Sequence, residues 1–427
     1  MKILLVSEYF PPKIFGGGEI SAALLAKNLS REGIEVSVLT SHFNGLEKFE
    51  VKDGVKIYRR LKTGENPNSF FSNFKRAFLF PYSTKRELIK LNKKENFDII
   101  HCMNINSIIG AAKAKKEIKK PIIAHVNSPV LFCPIGTLMK GKKNCKEKCS
   151  FFNFLGCFFK EGKISKIQNK YLQYNPLFAF YVYFRFKRRK SFLRKVDFFL
   201  PISNFMKNLL IRGGIPREKI AVVPNPVELE KFLKLESKWH KPVKILYLGN
   251  YEKFKGPQIL LQGLKEIKLE YEANFYGSGS LEKWMKNFVK ENNLSGKIKI
   301  NRKVSYDEIP RLYQEHDILV FPSLIGEAFG RIVIEAMAAG NPVIASRIGG
   351  VVDIVGDRKT GFLVEAGNVD ELRNAIIKLI DKPELREKMG AEGRIVAKER
   401  YVGKRIAGKV IKVYENVIDG RDVAKPK

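Results

Sequence analysis

"DILVFPSLIGEAFGRIVIEAMAAGNPVIAS", Asp317 to Ser346, reads as strand, loop, helix, turn and strand. The first apolar run ends near Ser323. Apolar residues then recur at helical spacing from near Phe329 and stop at Gly340, the residue type that most often closes a helix. Strand, helix and strand joined by short turns are the repeating unit of a parallel sheet covered by helices. The alternation extends both ways from this stretch. Downstream of "ELEKFLKLESKWHKP", the runs "VKILYLGN", "EANFYGSG", "KIKINRKV", "DILVFPS" and "NPVIASRIGG" predict five strands. In the first half "KILLVSEYF", "EVSVLTS", "FDIIHCM", "KPIIAHVNS", "VDFFLPIS" and "KIAVVPNPV" read as strands, with helical patterns such as "EISAALLAKNLSREG" between them. The fold class is therefore α/β, with two doubly wound halves. Ligands bind outside the carboxyl ends of strands in such sheets, and two sheets facing each other would leave a deep cleft for two substrates. The expected boundaries are 1–228 for the first domain, 240–404 for the second, with a linker near Val227 to Pro242, and a C-terminal helix in 405–427 crossing back to the first domain.

Composition bounds the function. The chain has 427 residues, too many for one ordinary core and suited to two domains of roughly 200 residues. The net charge of +34 implies an anionic partner, such as nucleic acid, anionic lipid or phosphate-bearing small molecules, unless it reflects a lysine-rich proteome. Five cysteines in this length do not make a secreted disulfide scaffold. The N-terminal apolar run Ile3 to Val6 is too short for a signal peptide. No run approaches the ~18 apolar residues of a spanning helix. The expected location is cytoplasmic, peripheral at the inner face of a membrane.

The stretch "GEAFGRIVIE" holds two carboxylates, Glu327 and Glu335, on either side of a helix start. Eight residues of helix would rise ~12 Å, comparable to the distance from sugar to ribose in a nucleotide-sugar. The free N–H groups around Ala328, Phe329, Gly330 and Arg331, with the helix dipole, suit a diphosphate between them. Carboxylates suit diols because each accepts several hydrogen bonds. The plainer reading is that Glu335 joins a salt-bridge network and Glu327 helps cap the helix.

These residues resemble the E-x7-E motif of retaining glycosyltransferases with the GT-B fold, in particular glycosyltransferase family 4. "AMAAGNPVIASRIGGVVDIV" and "TGFLVEAGN" continue the resemblance, and "VPNPVE", "LYLGN" with "KG", "FYGSGS" and "EYFPPKIFGGGE" stand in the family's order. The resemblance implies two Rossmann-like domains and sugar transfer from a nucleotide-sugar, UDP- or GDP-linked, with no metal required for the chemistry. Glu327 would contact the donor sugar, Glu335 the ribose and Lys255 the diphosphate. Gly16, Gly17 and Gly18 would let backbone approach the phosphate, and Gly277 and Gly279 would allow close approach near the nucleotide. Arg302, Lys303 and Val304 would cradle the base, and His125 would point into the cleft near the sugar. The family usually carries Arg where this chain has Asn250, and Lys253 is the candidate replacement. His125 as a structural histidine and Lys255 as a solvated lysine are the plain alternatives.

An insert at 129–195 breaks the strand–helix rhythm. Cys133, Cys145, Cys149 and Cys157 follow a C-x11-C-x3-C-x7-C spacing. Four thiolates can hold a structural zinc, although paired C-x2-C spacing is absent, and plain thiols or a disulfide fit equally. Leu177 to Phe186 is dense in aromatics, and Arg185 to Lys195 contains seven basic residues and no acidic one. That combination suits an anionic membrane surface, single-stranded nucleic acid, or a core helix with a solvated basic face. With the donor motif present, the acceptor is expected to be a glycan or a lipid-linked molecule, in cell-surface polysaccharide or glycoconjugate synthesis. Nucleic acid is disfavoured. Another GT-B enzyme, epimerase- or phosphorylase-like, and a non-enzymatic basic binding protein on this scaffold are the alternatives.

Overall fold

The structure, a computed structural model, describes residues 1–66, 70–135, 138–140, 143–145, 149–161, 175–236 and 239–421. Parts of the expected insert, linker and C-terminal segment (136–137, 141–142, 146–148, 162–174, 237–238 and 422–427) lie outside the described residues. The chain divides into two compact units, Met1–Pro226 with Gly403–Lys427, and Val227–Val402.

The first unit is built on a sheet of seven strands: β1 (Lys2–Val6), β2 (Glu35–Ser41), β3 (Phe49–Lys52), β4 (Val55–Leu61), β5 (Ile99–Cys102), β6 (Ile122–Val126) and β9 (Phe198–Pro201). A small hairpin, β7 (Met139–Lys140) and β8 (Lys143–Asn144), lies in the insert. The sheet order is β3-β4-β2-β1-β5-β6-β9, parallel except for β3 against β4. β1 is apolar and buried from Ile3 to Val6, as a central parallel strand must be. Two strands escaped the sequence reading. In β4 a buried Arg59 interrupts the apolar run, its charge met by Glu50 at 2.7 Å and by the Pro11 carbonyl at 2.9 Å. The stretch "KIAVVPNPV" forms only isolated bridges, from Ile220 to Phe199 and from Val227 to Val402, since Pro224 and Pro226 bring no N–H for a ladder. The helix Gly403–Ile418 buries Ile406, Ala407, Val410 and Val413 in the same core as Leu25 and Leu29 of the helix Gly17–Arg31.

The second unit carries β10 (Val243–Leu248), β11 (Tyr271–Gly277), β12 (Ile298–Arg302), β13 (Ile318–Phe321), β14 (Val343–Ser346) and β15 (Gly361–Val364), all parallel, in the order β12-β11-β10-β13-β14-β15. The four-residue β15 was not foreseen. It closes one edge beside β14. The stretch read as a linker is part of this unit's core: Val227, Leu229 and Phe232 are buried with Val333 and Met337, and Val227 bridges Val402. Its alternating Glu and Lys residues hide the three apolar anchors.

Candidate active site

In the second sheet the chain runs outward from β10 to β11 and β12, then returns to β13 on the other side of β10. The crevice at such a reversal is where open α/β sheets hold ligands. The loops leaving β10 and β13 carry the two residues singled out above. Lys255 Nζ is hydrogen-bonded to Glu327 Oε1, and Ser323 Oγ donates to the same oxygen at 3.3 Å. Both charged side chains are partly exposed. The ammonium and the carboxylate thus hold each other at the mouth of the reversal.

Glu335 sits in the helix Arg331–Ala339, capped by Gly330 and closed by Gly340 in the left-handed region. The helix begins two residues later than the pattern suggested, so Glu335 lies just over one turn inside it. It is 1% exposed. Its Oε1 accepts from Tyr306 Oη at 2.8 Å and from Arg331 Nε at 2.9 Å, while Arg331 Nη2 donates to Tyr306 Oη at 2.8 Å. Lys231 Nζ lies 3.8 Å from the centre of the Tyr306 ring. The salt-bridge reading of Glu335 is therefore present, but only half of each group is used. Glu335 Oε2 and Arg331 Nη1 are buried without a hydrogen-bond partner. Burial pushes the Glu335 carboxyl above its ordinary range, against the pull of Arg331. An orphan acceptor beside an orphan donor matches a ligand that offers a hydroxyl and an anionic oxygen.

The remaining donor-side candidates take simpler places. Gly277 and Gly279 admit the Gly249–Tyr251 backbone: a Cβ at Gly277 would stand 1.9 Å from the Gly249 carbonyl oxygen. Their close approach is to this loop of the protein itself. Asn250 and Lys253 are exposed, and each carbonyl is used locally, by Tyr247 Oη and Gln258 Nε2. Arg302 and Lys303 end β12 exposed, and Val304 packs toward the core around Val333. Ala328 and Phe329 lead into the helix, Phe329 edge-on to Tyr401 at 6.1 Å.

In the first unit Gly16 donates its N–H to Glu19 Oε2 at 2.8 Å, and a Cβ at Gly17 would meet nothing within 4 Å. The nearest atom to a Cβ at Gly18 is Asn127 Nδ2, at 3.7 Å. His125, expected to point into a cleft near the sugar or else to be a structural histidine, is enclosed in its own unit. It is 1% exposed in β6, stacked on His101 with ring centres 5.4 Å apart. Burial draws its pKa down to about 4, so the ring is neutral near pH 7. The strand runs apolar on both sides of it, which is why the ring is enclosed.

Comparison with known proteins settles the lineage. Residues 15–231 match the family described as Glycosyltransferase Family 4, and residues 230–396 match Glycosyl transferases group 1. The chain belongs to glycosyltransferase family 4. An uncharacterised glycosyltransferase of Methanocaldococcus jannaschii is 24% identical over 97% of this chain and 98% of its own length. A second from that organism is 38% identical, over 41% of this chain and 48% of its own length. The capsular polysaccharide biosynthesis glycosyltransferase CapM of Staphylococcus aureus is 34% identical, over 46% of this chain and 55% of its own length. Among solved structures, sucrose-phosphate synthase from Thermosynechococcus elongatus superposes with a TM-score of 0.71 at 19% identity, covering 98% of this chain and 99% of that one. Anabaena HepE, in complex with UDP and glucose, gives 0.66 at 16% identity, covering 97% and 100%. The α/β fold of two doubly wound, GT-B-type units stands on these likenesses.

For this glycosyltransferase, sequence reasoning missed Tyr306, Ser323 and Lys231, which complete the contacts around Glu335 and Glu327. Tyr306 is 29 positions from Glu335 and carries no local signal. The cysteines Cys133, Cys145, Cys149 and Cys157 do line one pocket, together with Lys190 and Arg212. Burial and the neighbouring thiols push the Cys149 thiol up to about 11, so it is protonated near pH 7. Among the described residues no three His, Cys, Asp or Glu side chains stand in a metal-holding arrangement, so the zinc expectation finds no geometric support.

Proposed function

We propose that the chain is a retaining, nucleotide-sugar-dependent hexosyltransferase acting on a glycan or lipid-linked acceptor in cell-surface polysaccharide or glycoconjugate synthesis. The observation that carries the reading is the half-satisfied pair Glu335 and Arg331 beside the Lys255–Glu327 pair at one sheet reversal. In the proposed complex Glu335 Oε2 accepts a ribose hydroxyl. Arg331 Nη1 and the first N–H groups of its helix face the diphosphate. Lys255 turns from Glu327 to the phosphate, where it stabilises the charge that develops as the nucleoside diphosphate leaves. Glu327, released, accepts from sugar hydroxyls. The acceptor hydroxyl attacks on the leaving-group face, which retains configuration. Related proteins support the reading: HepE structures hold UDP and UDP-glucose, and two relatives serve amylovoran and capsular polysaccharide biosynthesis.

We extend the proposal to a peripheral position at the anionic inner face of the membrane. The helix Pro176–Leu193 exposes Leu177, Phe180 and Phe184 at 79%, 58% and 56%, followed on the same face by exposed Lys187 and Arg188. No helix among the described residues is long and apolar enough to cross a membrane. The test of the transfer reaction is a radiolabel assay with UDP- and GDP-hexoses and a membrane extract as acceptor. Product should form with one donor class, keep the donor's anomeric configuration, and fall sharply in Glu327→Gln. Transfer by Glu327→Gln at the wild-type rate would reject the assigned role.

A further inference from the structure

The first unit has its own reversal, at the carboxyl ends of β1 and β5, and a cluster of arginines collects beside it. Glu8, just after β1, is 3% exposed and fully engaged. It accepts from Arg76 Nε at 2.8 Å, Arg76 Nη2 at 3.1 Å, Thr63 Oγ1 at 2.7 Å and Asn106 Nδ2 at 2.8 Å. Two more arginines, Arg185 and Arg189, stand one turn apart on the helix Pro176–Leu193. Like charges at that spacing repel. Arg189 Nε is buried with no hydrogen-bond partner, and among the described residues no carboxylate forms an ion pair with either side chain. Burial, then Arg185 and Arg76, draw the Arg189 pKa down to about 9. Glu8 offsets this only in part, and its oxygens already accept four hydrogen bonds. A guanidinium whose Nε is buried and unpaired, beside a second cation, is costly unless an anion arrives.

We infer that Arg185 and Arg189, backed by Arg76, form a binding site in the first unit for a phosphate or diphosphate group of the acceptor. The inference rests on the transferase reading above and narrows it to acceptors that carry such a group. A guanidinium pair matches phosphate oxygens through paired N–H donors. Tyr181 stands one turn before Arg185 on the same helix.

The test uses the full chain and three variants, Arg189→Met, the double Arg185→Gln with Arg189→Gln, and Lys255→Gln. Inorganic pyrophosphate is titrated by calorimetry. Lys255→Gln, weakened on the donor side, should still bind it, and with UDP or GDP filling the donor side the double arginine variant should bind it about tenfold or more weakly than the wild-type chain. UDP or GDP binding should persist in the double variant. Without ligand, Arg189→Met should shift the melting temperature upward, since an unpaired cation is removed; a merely structural arginine would shift it downward. Phosphatidylcholine vesicles doped with a polyprenyl diphosphate, or with phosphatidylglycerol, separate the sources. Arginine-dependent binding confined to the first supports a lipid-linked acceptor phosphate, and equal dependence on both overturns the inference in favour of general bilayer charge. Pyrophosphate binding unchanged in the double variant also overturns it. Failure of all nucleotides to bind the wild-type chain, with arginine-dependent pyrophosphate binding intact, would sink the transferase reading and leave the anion site standing.

Discussion

Glu335 accepts two hydrogen bonds through one oxygen and none through the other, in a site closed to water. Replacing it by Gln keeps the volume, removes the charge facing Arg331 and weakens the hydroxyl acceptor. Hydrogen bonds to charged groups contribute about 1.5–3 kcal/mol, so Glu335→Gln should raise the donor KM about tenfold to a hundredfold with a smaller effect on kcat. Steady-state kinetics with varied donor checks it. His125 gives a second residue-scale prediction. Its folded pKa of about 4 lies below the ~6.5 of an unfolded histidine, so the unfolded chain takes up the proton first as pH falls. Stability should drop between pH 7 and pH 5 by on the order of 2 kcal/mol from this group. Denaturant unfolding at both pH values should show a smaller drop in His125→Gln. At this scale the spacing of Glu327 and Glu335 was legible in the sequence, whereas Lys255 came only from the family resemblance. Tyr306 depends on a distant segment and had no local signature, whereas the apolar run around His125 already hinted at its enclosure.

The helix Arg331–Ala339 was legible as an element because its apolar spacing and terminal glycine are local signals. Its first turn was misplaced, because Gly330 rather than a side-chain cap opens it. What positions Glu327 in front of that helix is the chain after β14. Gly349 sits at φ +68°, and a Cβ there would lie 2.5 Å from the Glu327 carbonyl oxygen, while Gly350 N–H donates to that oxygen at 2.7 Å. Gly349→Ala should therefore displace the Glu327 loop and depress kcat by about tenfold or more, an ångström-scale shift in a reacting group being enough. Gly408, in the helix Gly403–Ile418, is the contrast. A Cβ there meets nothing within 4 Å, so Gly408→Ala should stabilise the chain by about 0.5–1 kcal/mol. Thermal melts of the two variants, with activity alongside, separate the cases. β3, β4 and β15 were lost to the sequence reading because a buried arginine or a four-residue length conceals them.

At the scale of the whole molecule the surplus of positive charge has two structural expressions in the first unit. One is the part-buried arginine cluster. The other is the exposed aromatic and basic face of the helix Pro176–Leu193. If that face meets the membrane, the chain should sediment with vesicles containing phosphatidylglycerol and release as salt rises. Phe180→Glu with Phe184→Glu should abolish most of that binding while leaving nucleotide affinity unchanged; sedimentation equal to wild type would remove the membrane proposal. The +34 charge was legible in the sequence, but its division between a part-buried cluster and an open face was not, because both lie on one helix. The central claim is that the second unit clamps a nucleoside diphosphate between Lys255 and Glu335. The most direct measurement is calorimetric titration of UDP, GDP and ADP into the wild-type chain and Glu335→Ala. The account predicts saturable binding of one nucleotide, weakened about tenfold or more in the variant. Binding that is absent for all three, or unchanged by Glu335→Ala, would contradict it.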